Sequence, residues 1–197
     1  MELNDIYKHL EEFAKNVVLD EPVVEDANSD ESAVEDVNPD AASSQDGQEA
    51  SDPDIALDEE AGCIFISPVK WLHVSKELES NSDLSFDFLM CITSYDVGSG
   101  KLGLAYNLYS NKVKHSIEIR MEFEDSVEIP SVTSVWKTAD WHEREAYDMM
   151  GVKFSGHPDM KRILLSKDWE GYPLRKDYKE PDYYRGVPVP KDKTAWE

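Results

Sequence analysis

Residues 86–124, FDFLMCITSYDVGSGKLGLAYNLYSNKVKHSIEIRMEFE, decide the fold. Within 114–124, Ile117, Ile119, Met121 and Phe123 alternate with Glu118, Arg120 and Glu122. That period of two predicts a strand covered on one side and wet on the other. Val97-Gly98-Ser99-Gly100-Lys101 is a Gly-rich hairpin signal, so residues 86–95 and 102–109 pair across it. Asn111-Lys112 predicts a second tight turn into the third strand.

Working outward, residues 63–66 form a short apolar strand. Ser67-Pro68 then reads as a helix start, Ser at N-cap and Pro at N1, running to about Ser80 and ended by Asn81-Ser82-Asp83. After Pro130, residues 131–150 read as helical in two pieces. Asp140 is the expected cap of the second piece, with Glu143 three residues on, and Gly151 suits the left-handed C′ position. Residues 4–19 are an amphipathic helix, with Ile6, Leu10, Phe13 and Val17 at helical spacing. The order helix, strand, helix, three-strand meander, helix predicts an α+β domain. Its small mixed or antiparallel sheet has helices on one face and is followed by a loop-rich C-terminal extension. The division is 1–19, N-terminal helix; 20–60, acidic disordered linker; 61–150, α+β domain; 151–197, loop-rich extension and arm.

Charge is divided unevenly along the chain. The whole chain of 197 residues carries a net charge of −22, yet residues 1–60 hold 20 Asp/Glu against 2 Lys, a balance of −18. Residues 61–197 are left with −4. Residues 20–60 contain no aromatic, Lys or Arg, and cannot bury enough apolar area to offset the entropy of ordering. The alternative for this run is a docking tail for a basic partner or a cation sponge. Net charge this negative argues against nucleic-acid binding and against direct electrostatic docking on anionic lipid. No apolar run approaches a membrane span, and the start lacks the pattern of a signal peptide, so a soluble chain held at a membrane only by other proteins is expected.

The chemistry-bearing signals are few. Cys63 and Cys91 sit in apolar runs and read as reduced, buried thiols, too few to hold an iron–sulfur cluster alone. The densest ionisable cluster is Asp140-Trp141-His142-Glu143-Arg144-Glu145. It is not the HExxH of a zinc protease, because Ala146 stands where the second His would. Glu143 and Glu145 point apart on a helix and do not share an acid/base site. There is no GxSxG elbow, phosphate loop or dinucleotide fingerprint. The plain reading of the cluster is a salt-bridged helix in which Arg144 can pair with Asp148.

The residues downstream of the cluster extend it into a longer motif. Glu143-Arg144-Glu145, Asp148, Met149-Met150, His157, Lys161 and Ile163-Leu164 form one long pattern, continued by Trp169-Glu170-Gly171-Tyr172-Pro173-Leu174-Arg175-Lys176-Asp177-Tyr178. Over residues 61–178, and most strongly over 130–178, the chain resembles the 30-kDa subunit family of respiratory complex I, the bacterial C subunit of NADH:quinone oxidoreductase. The resemblance implies a structural subunit of the peripheral arm that carries no cofactor, with FMN and iron–sulfur clusters in its neighbours. It implies packing against the 49-kDa-type D subunit and the cluster-bearing B subunit, peripheral to the cytoplasmic side of the inner (plasma) membrane. Electrons would pass from NADH to quinone through the neighbours, coupled to proton translocation. A related complex with a ferredoxin, deazaflavin or hydrogenase donor is the alternative.

The motif residues expected at a partner interface are Glu143, Arg144, Glu145, Asp148, Gly151, Gly156, His157, Pro158, Lys161, Arg162, Trp169, Arg175, Lys176, Asp177 and Tyr178. Purely intrachain pairing is the competing reading for the charged ones, since buried charges must be paired in either case. Residues 179–197, with three prolines, read as an extended arm on a partner or else as a frayed terminus.

Overall fold

The computed structural model describes residues 3–17 and 54–189. At its centre Gly98 pairs with Lys101, leaving Ser99 and Gly100 as a two-residue loop with φ of 55° and 79°. Positive φ at both central residues matches the right-handed twist of the strands they join. The loop connects β3 (Phe88–Gly98) to β4 (Lys101–Tyr109), which pairs antiparallel with β5 (Ser116–Glu124). The second turn is wider than expected. It spans Ser110 to His115 with Lys114 at φ 62°, so β5 begins at Ser116. The alternation in β5 holds: Ile117, Ile119, Met121 and Phe123 are buried, while the intervening side chains reach solvent. Gly103 lets the Tyr95 ring of the neighbouring strand lie over it, because a Cβ there would displace that ring.

Upstream stand α1 (Leu3–Asn16), β1 (Ile55–Asp58), β2 (Cys63–Ile66), a 3₁₀ turn (Pro68–Lys70) and α2 (Trp71–Ser80). Ser67 occupies the N-cap of that turn and Pro68 follows at its first position, as expected. The five-stranded sheet has the order β1-β2-β5-β4-β3, with β2 parallel to β5 and the other pairs antiparallel. The expected linker over 20–60 is corrected at its end. Residues 55–58 are a strand that buries Ile55 and pairs with β2, and residues 18–53 lie outside those described. Lys70 joins the two chain segments that flank them, donating from Nζ to the Ala14 carbonyl at 2.9 Å and to Asp54 at 2.7 Å.

One core holds the layers together. Ile6, Leu10 and Ala14 of α1, Trp71, Val74 and Leu78 of α2, and Leu104, Tyr106, Leu108 and Ile119 of the sheet are buried in it. Each large apolar side chain there stabilises the fold by about 1.5–3 kcal/mol relative to exposure. Phe13, expected on the buried stripe of α1, is only partly covered. The Trp71 ring packs tilted against Tyr106, centroids 4.5 Å apart, and lies 6.3 Å from Trp136, whose Nε1 donates to the Phe86 carbonyl at 2.9 Å.

Downstream come β6 (Glu128–Pro130), α3 (Ala139–Met150), β7 (Lys153–Ser155) and the hairpin β8 (Tyr183–Tyr184) and β9 (Val187–Pro188). Residues 133–138 are turns and not a first helical piece. Thr138, in helical conformation, holds the N-cap position, and Asp140 lies one residue inside the helix instead of capping it. Its carboxylate turns to His157 instead. Gly151 adopts φ 76° at the helix end and donates to the Tyr147 carbonyl, the expected left-handed cap. β6 and β7 pair in parallel, so the extension begins with a piece of sheet. The remainder is loop-rich, and residues 190–197 of the expected arm lie outside those described.

Candidate functional site

Helix α3 presents three kinds of surface. Ala139, Ala146 and Met150 join the core, Trp141 and Glu145 face solvent, and Glu143, Arg144 and Asp148 are charged yet buried. Buried charges need partners, and here the partners come from chain segments distant in sequence.

Asp148 is fully buried. Its Oδ2 accepts the backbone N–H groups of Ile163, Leu164 and Leu165 at 2.9, 2.6 and 2.9 Å, and its Oδ1 accepts Arg162 Nη1 at 2.8 Å. Three successive amides folded around one oxygen make an anion-binding concavity, filled by a side chain of the same molecule. Burial pushes this carboxyl up, but the amides of Leu165, Leu164 and Ile163 together with Arg162 outweigh it and hold the group below its usual range. The i,i+4 pair expected between Arg144 and Asp148 does not form. Arg144 instead lies 3.8 Å from Asp140, donates to the Lys161 carbonyl and covers the Trp141 ring at 4.8 Å.

Glu143, also fully buried, accepts Ser131 Oγ at 2.7 Å and the Val132 N–H at 2.8 Å. Burial dominates and pushes its carboxyl up to about 7, against the two hydrogen bonds. His157 accepts the Asp159 N–H on Nδ1, so Nε2 carries the proton toward Asp140, 3.2 Å away, and toward Glu143 at 4.0 Å. Asp140, His157 and Glu143 thus fasten the loop after β7 to the start of α3.

Tyr172 fastens the next stretch. Its ring fills the space beside Gly151, where any Cβ would collide with it, and the guanidiniums of Arg162 and Arg175 lie 5.3 and 4.8 Å from its centroid. Arg175 reaches back to the sheet with two 2.6 Å bonds to Asp125, and its Nε donates to the Met150 carbonyl. The Lys176 N–H donates to Asp96 at 2.8 Å. Farther on, Asp168 receives Arg185 twice at 2.9 Å, and Trp169 packs 5.0 Å from Tyr184.

Of the residues expected at an interface, Glu143, Arg144, Asp148, His157, Arg162, Arg175 and Lys176 therefore have partners within the chain. Lys161 is exposed and pairs with Asp159, while its carbonyl serves Arg144. Tyr178 packs beside Gly171 with its hydroxyl buried and unpartnered, as is the Trp169 indole N–H. Gly156 takes φ 74° in open space, and Pro158 and Asp177 are exposed. Glu145 is exposed and unpaired among the described residues. Asp96 and Asp125, the sheet-side anchors, carry no signal in the sequence beyond their place at strand ends. Exposed aromatic and apolar side chains stand on α3 and the extension: Trp141, Leu164, Leu174, Tyr183 and Val187 are each about 60% accessible or more. Among the described residues no group of His, Cys, Asp and Glu is arranged to hold a metal ion.

Comparison with known proteins shows the family to which this domain and its extension belong. Residues 64–184 match the family described as respiratory-chain NADH dehydrogenase, 30 Kd subunit. The C subunit of the NADH-quinone oxidoreductase of Chloroherpeton thalassium is 48% identical over 123 residues, which is 61% of this chain and 51% of that protein. The chain therefore spans about half the length of that relative. The C/D subunit of the NADH-quinone oxidoreductase of Phocaeicola vulgatus is 42% identical over 115 residues, covering 57% of this chain and 22% of that one. In fold, the chain is similar to one in the structure of a membrane-bound sulfane sulfur reductase, an archaeal respiratory membrane complex. That match has a TM-score of 0.55 at 20% identity and covers 64% of this chain and 78% of the other. The matched span takes in the meander, α3 and the contacts of Asp148, His157, Arg162 and Arg175, and the chain belongs to the 30-kDa subunit family of respiratory-chain NADH dehydrogenase.

Proposed function

We propose that this chain is a structural subunit of the peripheral arm of an NADH:quinone oxidoreductase. It braces neighbouring subunits that carry FMN and iron–sulfur clusters and holds no cofactor itself. The neighbours would be the 49-kDa-type D subunit and the cluster-bearing B subunit. Electron transfer from NADH to quinone, coupled to proton translocation, would run through them. The chain would sit peripherally on the cytoplasmic side of the inner (plasma) membrane, touching it through its partners. No helix of the described residues is long and apolar enough to cross a membrane.

The observation that carries this reading is the match over residues 64–184. The choice of the 49-kDa-type neighbour is supported by the Phocaeicola vulgatus relative, whose C/D name joins the two in one chain. The chemistry of the site fits a brace. Its buried ionisable groups are spent on holding the extension in place, while aromatic and apolar side chains stand outward on α3 and the extension, the composition of interface anchors.

A mild-detergent pull-down with mass spectrometry tests the proposal. Recovery of the 49-kDa-type and cluster-bearing neighbours is expected. Recovery of the chain alone would refute it, and recovery with a ferredoxin, deazaflavin or hydrogenase module in place of a flavin subunit would establish the alternative donor.

A further inference from the structure

The sheet ends on β3, whose outer backbone edge pairs with no strand among the described residues. Open edges are normally blunted by short length, Lys, Pro, bulges or a covering helix or loop, and here Lys176 Nζ covers only the far end, on the Val97 carbonyl at 3.3 Å. β3 is 11 residues long and contains no Lys, Arg or Pro. Its single charge, Asp96, is already spent on the N–H groups of Gly98 and Lys176. Register shifts at Met90 and Val97 bracket a regular run, residues 91–96, while Phe88 and Met90 stand about half exposed at one end.

Beside this run lies a cleft of about 310 Å³. The strand from Cys91 to Ser94 forms one wall, and His142, Glu145, Ala146 and Met149 of α3 form the other together with Leu174. An open strand edge flanked by a helix is the geometry in which an extended peptide binds as an added strand. Main-chain hydrogen bonds then supply affinity, and alternate side chains entering the cleft supply specificity. The lining mixes the apolar Ile92, Ala146, Met149 and Leu174 with His142 and the unpaired carboxylate of Glu145. That combination asks for apolar side chains with a Lys or Arg among them. A second copy of this chain adding its own β3 is a poor occupant, since that strand brings no Lys or Arg to pair with Glu145.

We infer that the cleft between β3 and α3 is a strand-addition site, filled by an extended segment of a neighbouring subunit that places a Lys or Arg against Glu145. This rests on the reading of the chain as an assembly subunit.

The test uses the assembled complex. A photo-crosslinking amino acid replaces the exposed Thr93 in the full chain in its host, and adducts are mapped by mass spectrometry. A crosslink to a Lys- or Arg-bearing segment of another subunit is expected. In parallel, Glu145→Lys should recover about tenfold less of that subunit, the equivalent of about 1.4 kcal/mol. Because Glu145 is exposed and unpaired, the melting temperature of the purified chain should not move. Glu122→Lys, on the face of the sheet away from the helices, should recover the wild-type amount. Crosslinks only to a second copy or within the chain overturn the inference, as does an undiminished recovery with Glu145→Lys. If the wild-type chain recovers no other subunit, the assembly reading fails first. If it recovers them while Thr93 stays silent, the strand-addition site alone fails.

Discussion

Replacing Asp148 by Asn exchanges one heavy atom, an oxygen for a nitrogen, and should undo the fastening of residues 161–165. The aspartate offers Oδ2 to three backbone N–H groups at 2.6–2.9 Å and Oδ1 to Arg162. Asparagine has one acceptor oxygen. If that oxygen faces the amides, the NH₂ group opposes the Arg162 guanidinium; if it faces Arg162, the NH₂ opposes three N–H donors. The milder arrangement still loses one charge-assisted bond and weakens three others. It also strands Arg162, whose side chain is only 13% exposed, without a counter-charge. Hydrogen bonds to charged groups contribute about 1.5–3 kcal/mol, and breaking a buried pair from one side costs about 3–5 kcal/mol. The expected loss is therefore about 3–5 kcal/mol, a large part of the roughly 5–15 kcal/mol that keeps a domain folded.

Urea unfolding followed by tryptophan fluorescence, with limited proteolysis of residues 156–180, measures it. The pH dependence supplies a sign. A carboxyl held below its usual value of 3.8 adds stability above that pH, and the contribution fades as pH falls through the lower native value. The gap between wild type and Asp148→Asn should therefore narrow below that value. A variant within about 1 kcal/mol of wild type at pH 7, or a gap independent of pH, would refute the reasoning.

Three other perturbations probe the same geometry. Glu143 is raised to about 7 by burial, so its protonated form favours the folded state. That stability is complete below the ordinary value of 4.5 and is lost as pH rises through about 7. Wild type should therefore lose on the order of 2–3 kcal/mol between pH 5 and 8 relative to Glu143→Gln, whose oxygen still accepts from Val132 while its amide donates to Ser131; parallel urea midpoints across that range would contradict this. Gly151→Ala should lower stability by about 1–3 kcal/mol, since it combines a left-handed backbone with a collision against Tyr172, and calorimetry of the purified chain measures it. Arg175→Lys keeps the charge but not the fork that spans Asp125 and Met150, so faster proteolysis around residues 170–180 is expected with the sheet intact by circular dichroism.

The parts of this fold that could be read from the sequence are those made by neighbours along the chain. Ile117 to Phe123 alternate because one face of β5 is core, and the loop at Ser99-Gly100 needs positive φ, so both leave a local mark. β1 leaves almost none. Ile55, Ala56 and Leu57 sit inside an acidic run, and they become a strand only because β2 offers a partner for each. The parallel pairing of β2 with β5 and of β6 with β7 is likewise decided by tertiary packing, over two and three residue pairs. Helical spacing offered Arg144 to Asp148, and the weak pair it allows lost to three amides that arrive from residues 163–165.

The same competition explains what the charged motif encodes. Its residues are widely spaced because each joins two parts of the chain: α3 to the loop after β7, α3 to residues 161–165, and Arg175 to the end of β5. A charge reversal at Arg144 or Arg175 therefore loosens the fold as well as any docking surface built on it, and loss of partners after such a change cannot distinguish the two. Within the Glu-Arg-Glu triplet, only Glu145 faces solvent without a partner among the described residues. Nothing in the folding of the domain accounts for an acid there. Stability should be indifferent to its reversal while assembly is not, and that separation distinguishes a residue kept for a partner from residues kept for the fold.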